Sequence, residues 1–146
     1  MQNENFLAIF KPWLEDGGKP TAEAFLALPD EEKKKVLYYL SVFGIYEEVE
    51  AGGKRFFLAH TVPEKEKMEN LAALKTYDFL TGEPDYDKVY YPDKYVVTGH
   101  TPTGLISLGC RGILQWNNHI AIDCGAVFGK RLGCIRLDDL EEFYVE

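Results

Sequence analysis

Two short strings in this chain end in a side chain that can do chemistry. One is Phe56-Phe57-Leu58-Ala59-His60, and the other is Tyr95-Val96-Val97-Thr98-Gly99-His100-Thr101-Pro102-Thr103. Each is an apolar, β-prone run that stops on a histidine. A strand end holds a ring rigidly, and neutral imidazole is the commonest protein ligand of a metal ion. His60 and His100 are therefore the candidate metal ligands. Taken alone, His60 reads rather as a strand-end histidine that donates to a backbone carbonyl. His100 carries the sharper signal, because Gly99 allows a tight turn that aims the ring into a cleft. Asp123 closes the run Ile120-Ala121-Ile122. It reads either as a carboxylate that accepts the second N–H of a metal-bound histidine or as a turn residue ahead of Gly125. His119, after Trp116-Asn117-Asn118, reads as a surface or outer position rather than a ligand.

The elements that must position these residues change period along the chain. Phe6, Leu7, Ile9, Phe10, Trp13 and Leu14 fall at helical spacing, and Asp16-Gly17-Gly18 closes that helix. Pro20-Thr21 opens a second helix with Thr21 as its cap. Pro29-Asp30-Glu31-Glu32 opens a third, capped by Asp30, with Val36, Leu37, Leu40 and Phe43 as its buried face and Gly44 as its stop. Residues 45–50 and 54–60 then alternate as strands around Ala51-Gly52-Gly53, a hairpin signal. Residues 64–80 read as helix, and 82–94 as a tyrosine-rich loop. From Tyr95 onward strands are expected at 95–98, 105–108, 113–116, 119–122, 133–137 and 142–145. Helices first and strands after give an α+β pattern.

Taken in order, these strings resemble a known family. Gly99-His100-Thr101-Pro102-Thr103, then Ile120-Ala121-Ile122-Asp123-Cys124-Gly125, then Gly129-Lys130-Arg131-Leu132-Gly133-Cys134 are similar to the calcineurin-like metallophosphoesterases. The likeness is to the bacterial serine/threonine protein phosphatase and dinucleoside tetraphosphatase branch. Trp13-Leu14-Glu15-Asp16-Gly17-Gly18, with Thr21 and Phe25, matches a Trp-Leu-x-Asn-Gly-Gly stretch of that family, with Asp16 where Asn is usual. The family's GDxHG, GDxxDRG and GNHE motifs do not occur in this sequence. The resemblance implies the back half of an α/β/β/α sandwich, so residues 1–146 are expected to form one partial domain lacking the N-terminal metal-binding motifs.

It further implies that His60 and His100 serve one metal of a pair, manganese by expectation or else iron or zinc. The bridging carboxylate and the proton donor belong to the missing motifs, so no catalytic residue is assigned in this chain. A phosphorylated substrate is implied: a phosphoprotein, a dinucleoside polyphosphate or a small phosphoester. Relatives often show Gly-Arg-x-Asp-Tyr where this chain has Gly82-Glu83-Pro84-Asp85-Tyr86, and a carboxylate at Glu83 would repel phosphate. Lys130 and Arg131 read as a solvated turn.

Composition bounds the rest. With 146 residues, 46% of them hydrophobic, the chain can bury a core. A net charge of −8 argues against unspecific binding to nucleic acid or to an anionic membrane. No signal-peptide pattern or membrane-length apolar run is present, and Cys110, Cys124 and Cys134 form no CxxC pair, so a cytoplasmic location is expected. Loss of leading strands would expose sheet edges and favour a homodimer or an aggregation-prone monomer. The alternative to an incomplete hydrolase is a truncated, non-catalytic binding or oligomerisation domain.

Overall fold

The computed structural model describes residues 10–146, which group into two compact units divided after Phe43. In the first, a kink within Leu14–Gly18, where Asp16 and Gly17 leave helical geometry, leads into α1 (Lys19–Ala27), followed by α2 (Asp30–Ser41). Gly17 turns the chain with φ 91°, and Gly18 lies against Trp13 so closely that a Cβ there would fall 2.4 Å from the indole. Thr21 lies inside α1 rather than capping it. Pro20 occupies the opening turn, where its missing N–H costs nothing, and the helix therefore starts earlier than the sequence suggests. Nor does Asp30 cap α2 with its side chain: it is the first helical residue, after Pro29.

The predicted buried face of α2 is not buried. Leu37, Leu40 and Phe43 are each more than half exposed. The two short helices α1 and α2 alone have too little depth to cover both faces of α2.

The second unit is built on a five-stranded mixed sheet in the order β1-β2-β3-β5-β4. Its strands are β1 (Tyr46–Ala51), β2 (Lys54–Ala59), β3 (Tyr95–Thr98), β4 (Leu114–Trp116) and β5 (His119–Ala121). The β1–β2 hairpin closes through Gly52 and Gly53, at φ 54° and 72°. Two positive φ angles are what a two-residue turn of the twist-matching kind requires. Strand β2 runs parallel to β3, and β3 parallel to β5. A separate hairpin, β6 (Leu132–Arg136) with β7 (Glu141–Val145), is antiparallel.

Successive residues on a strand point to opposite faces, and the sheet buries both. Phe57 and Val96 face one side, where they pack with Val62, Met68, Phe79 and Tyr90. These come from the segment linking β2 to β3, which contains α3 (Lys65–Met68) and α4 (Thr76–Thr81). Phe56 and Val97 face the other side with Ile113, Ile120 and Cys124, and Ile135 and Tyr144 of the second hairpin cover them. The unit is thus layered as helix, sheet and hairpin, an α+β arrangement as expected.

Two expectations fail locally. Residues 64–80 are not one helix: Asn70 leaves helical geometry at φ −129°, and Leu74 and Lys75 are extended before Asp78 accepts a hydrogen bond from the Lys75 N–H to start α4. Residues 105–108 are not a strand: Leu105 and Ile106 belong to α5 (Thr103–Ile106), entered through Pro102, and Ser107 and Leu108 form the turn after it. Thr103 anchors this turn by donating to the Gly112 carbonyl, while Leu105 and Leu108 point to solvent. Among the described residues no helix is long and apolar enough to cross a membrane.

Candidate functional site

Parallel pairing puts the carboxyl ends of β2, β3 and β5 side by side, and each is followed by a polar residue: His60, His100 and Asp123. In open sheets of parallel strands this edge is where ligands are held. His60 Nε2 and His100 Nδ1 lie 3.0 Å apart, with ring centroids separated by 4.8 Å and planes at 69°. One neutral ring donates its N–H to the other's bare nitrogen, with the direction set by the tautomers. Both residues are exposed, so the pair is open to solvent.

The backbone holds this arrangement under strain. His100 has φ 67°, a left-handed conformation that a residue with a Cβ adopts at a cost. It is fixed from both sides. The Gly99 N–H donates to the His60 carbonyl at 3.0 Å, and the Thr101 N–H donates to the Gly99 carbonyl at 2.7 Å.

Burial lowers the His60 pKa, and the neighbouring His100 lowers it further, against a smaller opposing pull from Asp123. All of this except the Asp123 field favours the uncharged ring, the form that binds metal. Asp123 does not hydrogen-bond to either imidazole. Its carboxylate accepts the Gly125 N–H at 2.8 Å and its carbonyl accepts the Thr103 N–H at 2.8 Å, so it builds the turn while its charge acts on His60 through space.

No protein-family model and no characterised protein matches this sequence. The site must speak through its own atoms.

Two nitrogens bound to one ion at about 2.1 Å, at right-angled to tetrahedral geometry, stand roughly 3.0–3.4 Å apart. The imidazole pair meets that spacing. Ligand number is the shortfall: among the described residues no group of three or more His, Cys, Asp or Glu side chains could hold an ion. The described residues therefore supply two donors where a catalytic zinc site uses three protein ligands.

Of the two readings for His119, a surface or an outer position, the surface one fails: the residue is 2% exposed. It pairs with Val96 across the parallel β3–β5 ladder, on the face that the helical layer covers. Its Nε2 lies 2.8 Å from Thr98 Oγ1, and the rings of Tyr86 and Tyr90 pack against it at 4.7 and 5.7 Å. Its Nδ1 is buried without a partner, and burial drives its pKa down to about 4, so the ring is neutral. The Tyr86 hydroxyl is buried as well. Thr98 and Thr101 lie near enough to draw its pKa down against the larger effect of burial, yet neither meets hydrogen-bond geometry with it. The missed signal was His-Ile-Ala-Ile, a run too apolar for a strand with a wet face.

Proposed function

We propose that this chain carries the two-histidine portion of a divalent-metal phosphoester hydrolase, similar to the C-terminal part of the calcineurin-like metallophosphoesterases. The observation that carries the reading is the 3.0 Å approach of His60 and His100 from the ends of adjacent parallel strands. In such a centre the metal supplies Lewis acidity and an activated water. The imidazoles would hold and orient it, and ligands beyond these two would be needed to complete its coordination. The helix–sheet–hairpin layering is compatible with the back half of an α/β/β/α sandwich.

Glu83, Asp85 and Asp87 share a cleft of about 630 Å³ with Thr101, the residue after His100. A carboxylate wall there disfavours a polyanion such as a dinucleoside polyphosphate. A phosphoprotein or a simple phosphomonoester suits it better.

The test has two arms. In a Zn²⁺ titration followed by NMR, the His60 and His100 ring signals should move together, and either His→Ala change should remove the response of the other ring. Absence of any response at millimolar metal would defeat the reading. With Mn²⁺ and p-nitrophenyl phosphate, the isolated chain should turn over little or nothing. A substantial rate lost in His100→Ala would keep the hydrolase and overturn the incompleteness of the site.

One observation favours the non-catalytic alternative, a binding or oligomerisation domain. Leu37, Tyr38, Tyr39, Leu40, Val42 and Phe43 are each more than half exposed, a run of exposed apolar residues of the kind that self-associates. Light scattering that finds a dimer, together with no metal response, would select it.

A further inference from the structure

A second cleft, of about 510 Å³, is lined by Arg111, Lys130 and Arg131 together with Gly104, Gly129 and Glu146. Three cations converging on one cleft stand out in a chain with 24 acidic and only 16 basic residues. Lys130 lies in an exposed bend, as the sequence suggests, and Arg131 beside it is half-buried. The Lys130 stem lies across Gly125, where a Cβ would sit 2.9 Å from Lys130 Cδ, and its ammonium reaches to 3.4 Å from the Cβ position of Gly104. Two glycines thus make room for that side chain. The Arg131 guanidinium lies 4.9 Å over the Tyr144 ring and is paired with the Glu146 carboxylate. Among the described residues, neither Arg111 nor Lys130 has a carboxylate partner.

We infer that this cleft is a binding site for a dianionic phosphate group, with the Glu146 carboxylate as its internal competitor at Arg131. Of these three cations only Arg131 is ion-paired, with the Glu146 side chain, which leaves Arg111 and Lys130 unmatched among the described residues. A phosphate monoester or inorganic phosphate carries a charge of about −1.5 to −2 near neutral pH, with three acceptor oxygens. It satisfies both free cations and the guanidinium fork, whereas a lone carboxylate satisfies only one of them. Glu146 already demonstrates that Arg131 accepts an oxyanion in this position. A cluster of three cations is too small to follow a nucleic-acid backbone. The site shares no residue with the histidine pair and does not depend on a metal.

Isothermal titration with inorganic phosphate, and in parallel with phenyl phosphate, in EDTA and low salt tests this. The unsubstituted chain should saturate with both. The double change Arg111→Gln/Lys130→Gln should weaken binding by about ten-fold or more, since each lost charge-assisted contact is a strong one. Glu146→Gln should tighten it by a few-fold, because the competitor loses its charge. His100→Ala should leave it unchanged. Both cations are at exposed positions, and circular dichroism verifies that the variants fold. Saturation by inorganic phosphate but not by phenyl phosphate would restrict the site to the free ion and keep the assignment. No saturation, equal affinity in the double variant, weaker binding in Glu146→Gln or loss of binding in His100→Ala would each overturn it.

Discussion

Replacing His119 with phenylalanine should flatten the acid limb of the stability curve. The ring is 2% exposed, faces no counter-charge and has its pKa pushed from 6.5 down to about 4 by burial. In the unfolded chain the same imidazole takes up its proton near pH 6.5, so between there and pH 4 the unfolded state binds more protons. The sign follows: stability is full above the unfolded value and falls as the pH drops towards the folded one. At roughly 1.36 kcal/mol per pH unit, the loss reaches about 3 kcal/mol. Phenylalanine keeps an aromatic ring against Tyr86 and Tyr90 but leaves the Thr98 hydroxyl without its 2.8 Å partner. That costs about 1–2 kcal/mol at neutral pH. Urea unfolding followed by circular dichroism should therefore find the variant weaker at about pH 7.5 and equal to or stronger than the unsubstituted protein at about pH 4.5. His60, whose pKa is also lowered, is present in both proteins and cancels from the comparison. Parallel stability curves across this range would refute the claim that His119 is buried uncharged.

Phe57 is fully buried and stacks 4.8 Å from Tyr46 and 6.2 Å from Phe79, so Phe57→Ala should cost about 3–5 kcal/mol in urea unfolding. A loss below about 1 kcal/mol would mean the helical layer does not pack on this face. Gly52→Ala should be much more damaging than Gly53→Ala, although both glycines have positive φ. A Cβ at 52 would meet the Asp138 carbonyl at 1.8 Å, whereas at 53 nothing lies within 4 Å and only the backbone cost of about 1–2 kcal/mol remains. Comparable melting temperatures for the two variants would contradict the contact between the first hairpin and the turn at Asp138. Cys134 is exposed, while Cys124 is buried with its thiol pKa raised chiefly by that burial. An aromatic disulfide reagent should thus modify Cys134 first and Cys124 only on unfolding, and equal rates would disprove the burial.

Strand positions were the most legible part of this sequence. Alternating and continuous apolar runs located the seven strands of the described residues to within a residue or two, because a period of two residues is a local property. Gly52-Gly53 announced its hairpin for the same reason. Failures came where local pattern met tertiary context. Leu105, Ile106 and Leu108 are β-prone, yet Pro102 and the Thr103 hydrogen bond to Gly112 begin a helical turn, and no neighbouring strand rescues the run. The apolar stripe on α2 was visible, but its burial depended on a covering layer that no stripe can encode. The same division holds at the candidate site. That His60 and His100 end strands could be read directly. That those strands are neighbours and parallel, bringing nitrogens to 3.0 Å, is a long-range pairing that spacing does not contain.

Thr98 connects the two scales. It belongs to the buried face of β3, where His119 holds its hydroxyl, and it lies two residues before a histidine in a left-handed conformation. Such a conformation persists only where surrounding contacts over-determine it. Here the contacts are of three kinds: the core bond to Thr98, the Gly99 N–H to the His60 carbonyl, and the imidazole pair itself. Packing alone would not need His100 at φ 67°, because Gly99 next to it could take any strained turn at lower cost. The strain falls instead on the residue that carries the ring. What the fold maintains at this edge is therefore the direction of an imidazole, and a core histidine with one unsatisfied nitrogen is part of what maintains it.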